Sequence, residues 1–402
     1  MKIKIKTKKI LACLLLAAML LIMTAGCGSD GGSAANDGAG AADNNGGAGA
    51  EETPQSDPSP YVITSPYAGI DWAAYGQYKT ALHVHTTNSD GSATLAATIE
   101  DHYSKDYDIL AVTDHDFVTT NWVDTKNGIT QERFDEIAAG ADRNGRGMLQ
   151  IPYTIEQSMG EHLNSFFAEF KNRRASMETS IEEVTALGGF SRTNHPGRYT
   201  GADRDWDDGI RISNDPDVIQ RYVDLFMKYP DDVGMEIINK KDGESLSDRI
   251  LWDNINERTI PQGRYVWGFS DDDTHNIADT GFSFDVFIQK ENTLEEFKKT
   301  MYGGNFYAVA KISRRELGSS FTGSGPTPAI KSIKIDEHNA IITIEAEHYD
   351  KIEWITAGSE IIAEGPSINI DELGGKISVF VRANIIGPGG IAFTQPFGIS
   401  VK

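Results

Sequence analysis

Histidine and carboxylate residues recur in five short motifs, at spacings that suit the coordination of metal ions. The first motif, LHVH, holds His83 and His85 two residues apart, and Asp90 follows in the loop TTNSDG. Side chains two apart on a strand point to the same face, so both imidazoles can reach one ion. The candidate ligands are His83, His85, Asp90, His115 of TDHD, Glu156 and His162 of IEQSMGEH, His195 of NHPG, and Asp273 and His275 of SDDDTH.

This donor set favours metal-assisted hydrolysis. The sequence has only two cysteines, Cys13 and Cys27, so a thiolate metal site is excluded. Imidazole and carboxylate ligands suit zinc, manganese or iron. Two such ions about 3.5–4 Å apart can hold a bridging hydroxide and neutralise the charge that develops on a phosphoryl group. One HxH motif alone is more often an ordinary pair of polar side chains, whereas five such motifs in order indicate a metal centre.

The elements around these motifs alternate between short apolar strands and amphipathic helices. Strand and helix alternate regularly from residue 61 to residue 318, as in KTALHVH, TLAATIEDHYSKD and DILAVTDHD, which predicts a parallel sheet closed into a barrel. The candidate ligands follow strand ends, and barrel enzymes build their sites on that face. Residues 326–402 carry short alternating strands with Gly, Asn and Pro turns, which predict a small antiparallel, Ig-like sandwich.

The first sixty residues predict secretion followed by a tether. Five lysines in MKIKIKTKK precede an apolar run, and TAGCGSD follows. Residues 1–26 resemble a bacterial lipoprotein signal, which implies cleavage before Cys27 and a lipid anchor on its thiol. Residues 27–60 are rich in Gly, Ala, Asn and Ser and predict a disordered tether. We therefore expect an extracytoplasmic protein anchored to the bacterial cell membrane; an ordinary cleaved signal and an uncleaved anchor stay open.

The charge of the chain disfavours nonspecific binding to nucleic acid. The formal net charge is -22 at pH 7, and loss of residues 1–26 would remove five lysines and bring it to -27. Nonspecific binding to nucleic acid depends on a basic surplus that releases counterions, and this chain has none. We expect a small phosphorylated substrate, no nucleic acid, and contact with the membrane through the lipid alone.

Taken in order, the motifs resemble the PHP (polymerase and histidinol phosphatase) domain family. The resemblance consists of HxH with a downstream Asp, DHD, Glu with a following His, NHP and DxH, and it runs from Lys79 to Lys311. It implies a distorted (β/α)7, TIM-like barrel that holds two or three divalent ions and hydrolyses phosphate esters. It also implies how the ligands are shared: His83, His85, Glu156 and Asp273 for one ion, Asp90, His115 and His275 for a second, and Glu156 as a bridge with His162 and His195 for a third.

A phosphate substrate also needs cations that are not metals. Arg198, three residues after His195, is the first candidate because a guanidinium can bind two phosphate oxygens at once. Asp116 is a second candidate catalytic residue, and with Asp114 it is expected to orient His115. Weaker candidates for phosphate binding are Arg192, Lys311 and Arg314. The remaining histidines, read as structural, are His102, His338 and His348.

Two other functions fit parts of the sequence. A metal-dependent amidohydrolase or esterase also opens with HxH on its first strand, but it commonly uses a metal-bridging Lys on a middle strand, where this chain offers Glu156. A non-catalytic lipoprotein could instead use the sandwich to bind cell-envelope glycan. The nearly complete ligand set argues against that second alternative.

Overall fold

The computed structural model of the chain describes residues 57–402. The predicted signal peptide, the lipid attachment at Cys27 and the tether up to residue 56 lie outside the described residues. Ser59, near the end of the predicted tether, is buried and donates a hydrogen bond to the Asp371 carboxylate at 2.8 Å. In the described part of the chain, no helix is long and apolar enough to cross a membrane.

Nineteen strands lie between residues 57 and 402. They are β1 Tyr61–Thr64, β2 Gly76–Ala81, β3 Ile109–Leu110, β4 Leu149–Gln150, β5 Ile155–Gln157, β6 Leu163–Phe166, β7 Phe190–Thr193, β8 Asp232–Asn239, β9 Trp267–Asp271, β10 Ser283–Gln289, β11 Phe306–Ala310, β12 Ala329–Asp336, β13 Ile341–Glu347, β14 Lys351–Thr356, β15 Glu360–Glu364, β16 Ser367–Asn369, β17 Phe380–Gly387, β18 Gly390–Thr394 and β19 Phe397–Val401.

The α-helices lie mainly between the strands of the first half. They are α1 Leu95–Ser104, α2 Gln131–Ala139, α3 Met177–Ala186, α4 Pro196–Thr200, α5 Trp206–Ser213, α6 Pro216–Lys228, α7 Asp248–Thr259, α8 Leu294–Gly303, α9 Arg314–Leu317 and α10 Ile370–Leu373. Hydroxyl side chains begin α1, α2 and α3, because Thr94, Thr130 and Ser176 each accept a hydrogen bond from a backbone amide of the first turn.

Two sheets carry the candidate site. The larger sheet has the strand order β1-β19-β17-β18-β11-β10-β2-β3-β4, with β14 and β15 attached beside β17. The second sheet has the order β5-β6-β7-β8-β9. Strands β2, β3 and β4 are parallel to one another, as are β7, β8 and β9. The architecture is therefore mixed α/β, with the parallel strands that the sequence predicts.

The closed (β/α)7 barrel is not confirmed. Single parallel bridges, Val84 with Thr274 and His115 with Glu156, join the two sheets in place of continuous ladders. The physical reason lies partly in β5 and β6, which form an antiparallel hairpin where a barrel would place a helical crossover between parallel strands. The site residues lie at these interrupted junctions.

The C-terminal strands differ from the predicted separate sandwich, and the Ig-like fold is not confirmed. Strands β12, β13 and β16 form a three-stranded sheet, but β17, β18 and β19 continue the larger sheet. Strand β18 pairs with β11 and β19 pairs with β1, so strands that would otherwise be exposed edges gain partners. A buried ion pair between Arg382 and Asp253 adds a further link between the two halves.

Candidate metal centre

The ends of β2 and β9 bring two of the motifs together. The backbone amide of His85 donates to the carbonyl of Thr274 at 2.8 Å, and the amide of Thr274 donates to the carbonyl of His83 at 3.2 Å. These bonds place the HxH motif beside the motif of Asp273 and His275. Both His83 and His85 are almost fully buried, so their rings face the protein interior and not solvent.

Glu156, in strand β5, lies at the centre of the histidines. Its side chain is fully buried. Its carboxylate oxygens lie within 3.6 Å of five imidazoles, at 3.1 Å from His83 Nε2, 3.3 Å from His85 Nε2, 2.9 Å from His115 Nδ1, 2.9 Å from His162 Nδ1 and 3.6 Å from His195 Nε2. One carboxylate therefore contacts ligands from four of the five motifs.

Asp273 is the member of the DDD run that faces the histidines. Its Oδ1 atom lies 3.0 Å from His85 Nε2 and 3.3 Å from His275 Nδ1. Asp271 accepts instead from the amide of Leu82, and Asp272 accepts from the backbone amides of residues 281–283. Asp273 thus contacts the candidate histidines, and its role as a metal ligand stays a prediction.

Asp90 reaches the same centre from a loop. Its Oδ2 atom lies 3.3 Å from His275 Nε2 and 3.7 Å from His115 Nε2, and Oδ1 lies 3.7 Å from His85 Nδ1. The carboxylate of Asp114 fixes this loop by accepting from the amide and hydroxyl of Thr86 and from the hydroxyl of Ser89.

These side chains fit a metal centre by their geometry. Buried nitrogens of His83, His85, His115 and His195 make no hydrogen bond, and neither do Glu156 Oε2 and Asp273 Oδ1. Most of these imidazole nitrogens nevertheless lie 3.0–3.6 Å from a carboxylate oxygen of another candidate ligand. Two atoms each about 2.1 Å from one ion are roughly 3.0–3.4 Å apart at the angles of ordinary coordination. Close polar atoms without hydrogen bonds are what ligands of a shared ion show.

The electrostatics of the site also favour the binding of cations. Burial lowers the pKa of His85, but the close carboxylates of Asp273 and Glu156 outweigh it and raise the pKa to about 9. Burial alone would raise the pKa of Glu156 and of Asp273, yet the neighbouring histidines hold both pKa values well below their usual range. The buried carboxylates thus draw protons onto the imidazoles, and divalent cations would serve as a stronger counter-charge.

Groups of donor atoms show which ligands can share an ion. Three groups contain only predicted ligands: His85, Asp90, His115 and His275; His83, His85 and Asp273; and His115, Glu156 and His162. The first two overlap the sharing that the family resemblance implies, but His85 is added to the group of Asp90, and Glu156 is absent from the group of His83, His85 and Asp273. In the third, His115 takes the place expected for His195, whose Nε2 is 3.6 Å from Glu156.

Glu236, in strand β8, is a member of the site that the sequence analysis missed. Its Oε1 atom lies 2.7 Å from His83 Nδ1, and its Oε2 atom accepts from the amide of His195 at 2.9 Å. A carboxylate on one imidazole nitrogen fixes the tautomer, so that the other nitrogen of His83 is free for a metal. The available signal was a lone Glu in the apolar run VGMEII, because a buried carboxylate needs partners.

Lys240 is a second residue that was missed. Its Nζ atom lies 3.0 Å from Asp273 Oδ2 and 3.2 Å from Glu244 Oε1. Residues 240–242 all have positive φ, at 46°, 55° and 58°, a conformation that costs energy in residues other than glycine. The spacing of the ligand motifs contains no signal for this lysine.

The predicted phosphate-binding residues differ in where they lie. Arg198 is partly exposed at the rim of the site, and its Nη1 atom donates to Glu244 at 2.9 Å. Arg192, a weaker candidate, is fully buried between Glu236 and Asp271 and is closed to substrate. Lys311 lies near the ring of Phe282, and the backbone amide of Arg314 donates to the Asp242 carboxylate. Neither of these contacts involves a candidate ligand.

Asp116 lies beside the histidines but faces away from the ring of His115. Its Oδ2 atom accepts from the hydroxyl of Ser158 and from Arg173 Nε, both at 3.0 Å. Asp114 binds Thr86 and Ser89 instead, so within residues 57–402 neither carboxylate makes the expected orienting contact with His115. A catalytic role for Asp116 stays a prediction.

His102 agrees with its structural interpretation. It is buried in α1, and its Nδ1 atom lies 2.8 Å from the carbonyl of Thr98. Burial lowers the pKa of His102 to about 4, which leaves the ring neutral at physiological pH. His338 and His348 lie in the C-terminal region, away from the candidate ligands.

No protein-family model and no curated protein matches the sequence. A two-domain protein from Bacteroides vulgatus containing a predicted PHP-like metal-dependent phosphoesterase is similar in structure, with 14% identity, a TM-score of 0.43, and coverage of 81% of this chain and 96% of that chain. The lesion-specific endonuclease PfuEndoQ from Pyrococcus furiosus is similar at 16% identity, a TM-score of 0.35, and coverage of 57% and 56%. An amidohydrolase from Chromobacterium violaceum is similar at 17% identity, a TM-score of 0.31, and coverage of 49% and 87%. At such low values the likeness carries no information on substrate.

Asp90→Ala is expected to remove one ion per chain and to leave the other bound metal in place. Asp90 is the exposed carboxylate of the group that includes His115 and His275, whereas the group of Asp273 keeps all its donors. Metal content per chain after dialysis, measured by plasma mass spectrometry, checks this. Asp135→Ala, an exposed carboxylate of α2, is the matched control. Unchanged metal content, or loss of all metal, would contradict the assignment of Asp90.

Proposed function

We propose that the chain is a metal-dependent phosphoesterase that hydrolyses phosphate mono- or diesters. The observation that supports the proposal is the convergence of all nine candidate ligands into groups whose donor atoms lie within 4.8 Å of one another. Divalent ions bound by such groups activate water as a nucleophile and neutralise charge on a phosphoryl group. Zinc, manganese and iron all suit these donors.

The groups around the ligands would hold them in position. Glu236 fixes the ring of His83, and Asn194 Nδ2 donates to Glu156 Oε1 at 2.8 Å, which restrains the central carboxylate. The Glu236 carboxylate raises the basicity of the His83 ring, and both hydrogen bonds reduce the cost of ordering the ligands when an ion binds. The chain thus supplies a pre-organised set of donors.

Two cations at the rim suit the binding of phosphate oxygens. Arg198 is partly exposed, and Lys240 lies 3.0 Å from the Asp273 carboxylate. Both contact Glu244, so each is already oriented toward the site. Arg198 offers a planar fork of donors and Lys240 a compact charge, and we propose that they bind the non-bridging oxygens of the substrate.

We further propose that the enzyme acts outside the cytoplasmic membrane, held there by a lipid on Cys27. The support is the order of a basic stretch, an apolar run and a cysteine at the start of the sequence. A small phosphorylated compound from the cell surroundings would then be the substrate, and binding of cell-envelope glycan by the C-terminal strands stays a proposal.

Chelator-sensitive turnover of a generic phosphate ester is the expected result that tests this function. The protein loaded with zinc, manganese or iron(II) is assayed on p-nitrophenyl phosphate and bis(p-nitrophenyl) phosphate, with and without chelator. Turnover in none of the three metals would contradict the proposal. The double variant His83→Ala/His85→Ala should be inactive because both rings contact Glu156, while His348→Ala, an exposed histidine, should retain activity.

The same assay separates the alternatives. Turnover of p-nitrophenyl acetate or an amide substrate in place of phosphate esters would favour the metal-dependent amidohydrolase or esterase. If the chain hydrolysed none of these substrates but bound glycan, the non-catalytic lipoprotein would be favoured.

A further inference from the structure

A cavity of about 360 Å³ opens beside the candidate metal centre. Its lining includes Asp90 and His115 from the centre, together with Asp116, Phe117, Lys171 and Arg173, and we call it the Lys171–Arg173 pocket. Pockets for small ligands typically enclose roughly 300–1,000 Å³. A substrate whose phosphoryl group lies at the metal ligands can therefore extend its remaining part into this pocket.

Two cations line the pocket together with Asp90 and His115 of the centre. Lys171 and Arg173 belong to the exposed stretch KNRR, which follows β6, in a chain whose formal net charge is -22. Three of the nine candidate ligands of the centre are carboxylates, namely Asp90, Glu156 and Asp273. Positive side chains placed together next to such a centre favour a ligand group that carries negative charge.

Arg173 is held in place and still able to bind. Its Nε atom donates to Asp116 Oδ2 at 3.0 Å, while its terminal nitrogens Nη1 and Nη2 make no hydrogen bond with any residue from 57 to 402. Its side chain is 68% exposed. Asp116 thereby orients the guanidinium, and its Nη1 and Nη2 atoms can donate hydrogen bonds to a carboxylate or phosphate.

Phe117 contributes an apolar wall. The Nζ atom of Lys171 lies 6.0 Å from the centre of the Phe117 ring, at the outer limit of a cation–π contact. The ring is partly exposed to the cavity. A flat or apolar part of a ligand can pack on this ring.

We propose that the Lys171–Arg173 pocket binds a second anionic group carried by the substrate. The substrates would then be phosphate esters whose organic part bears its own carboxylate or phosphate. The inference rests on the proposed phosphoesterase function for the position of the first phosphoryl group. It assigns Lys171 and Arg173 to specificity and Asp116 to positioning Arg173.

Binding of two matched phosphonates tests the pocket without requiring turnover. 4-Phosphonobenzoate and 4-phosphonobenzamide have the same shape and differ in the charge of one group, and neither is hydrolysed. We expect the metal-loaded protein to bind the benzoate about 5-fold more tightly by calorimetry, as two partly exposed charge pairs allow. The preference should weaken at high ionic strength because salt screens exposed charges.

Substitution of the cations gives the matched comparison. Lys171→Gln/Arg173→Gln should bring the ratio of the two dissociation constants to about 1, and Lys171→Gln alone should lower it in part. Arg174→Gln, which removes an exposed cation that does not line the pocket, should keep the 5-fold ratio. If Arg174→Gln also lost the preference for the benzoate, the preference would come from the general charge of the loop. That result would overturn the proposed role of the Lys171–Arg173 pocket.

The outcomes for the two proposals are distinguishable. A wild-type ratio of 1, or no binding of either phosphonate, overturns the anionic subsite even when phosphate esters are turned over. A charge preference that depends on Lys171 and Arg173, in a protein that hydrolyses no phosphate ester, supports the subsite and refutes the phosphoesterase. A further compound, in which a second phosphonate group replaces the carboxylate of 4-phosphonobenzoate, is then compared with 4-phosphonobenzoate. The tighter-binding compound shows which anion the pocket prefers.

Discussion

Glu156→Gln is expected to lower kcat/KM for phosphate esters by about 10³-fold or more, the scale seen when a central electrostatic group of an active site is removed. The carboxylate contacts imidazoles from four of the five motifs. The amide of Gln keeps the shape but loses the charge, and its NH2 group cannot coordinate a cation. Bound metal should fall together with activity, which plasma mass spectrometry measures alongside the kinetics.

Glu161→Gln is the control for this substitution. Glu161 lies five residues away in the same hairpin and pairs with Arg221 and Tyr222, outside the candidate ligands. It should retain metal and activity. If Glu156→Gln kept its full metal content and lost less than about 10-fold in kcat/KM, Glu156 would be a structural carboxylate rather than a bridging ligand. A cooperative unfolding transition in the variant would exclude misfolding as the cause of a loss.

The convergence of the ligand motifs could be predicted from the sequence because it depends on local rules. An HxH pair on one strand shares a face, and the carboxyl ends of parallel strands meet at one edge. Strands β2 and β9 follow this logic, since the bridge of Val84 with Thr274 places their two motifs side by side. For these two motifs the strand ends were sufficient information, whereas Glu156 lies within the antiparallel hairpin of β5 and β6.

Glu236 and Arg192 could not be predicted in the same way. Each is a single charged residue on a strand, and charged residues are usually solvated, so the default interpretation places them at the surface. Their burial makes sense only in three dimensions, where Glu236 contacts both His83 and Arg192. Spacing along the chain carries no trace of a partner that is 44 or more residues away.

The assignment of the C-terminal strands to a sheet could not be predicted from the sequence either. Alternating short strands after residue 326 were recognisable as antiparallel strands, but their partners were not. The pairing of β18 with β11 and of β19 with β1 joins segments far apart in sequence. Pairing of that kind depends on which strand faces are buried after folding. A local pattern therefore predicts the strands but does not predict which sheet they join.

Arg192→Met is expected to destabilise the protein by about 3–5 kcal/mol, the usual cost of leaving a buried charge without its partner. The guanidinium is fully buried, contacts Asp271, and donates to Glu236 Oε1 at 3.0 Å. Methionine fills a similar volume, so the loss of charge and not a cavity should account for the effect. The free energy of unfolding in urea, measured with and without chelator, gives the size of the effect.

Arg221→Met is the matched control, because Arg221 forms an exposed ion pair with Glu161, and such a pair contributes about 1 kcal/mol or less. The two possible roles of Arg192 make opposite predictions. A phosphate-binding arginine would raise KM and leave the free energy of unfolding near that of the wild type. Because Arg192 holds Glu236, and Glu236 holds His83, we expect instead a large loss of stability accompanied by weaker metal binding. Its contribution to catalysis would then be transmitted through the position of one histidine.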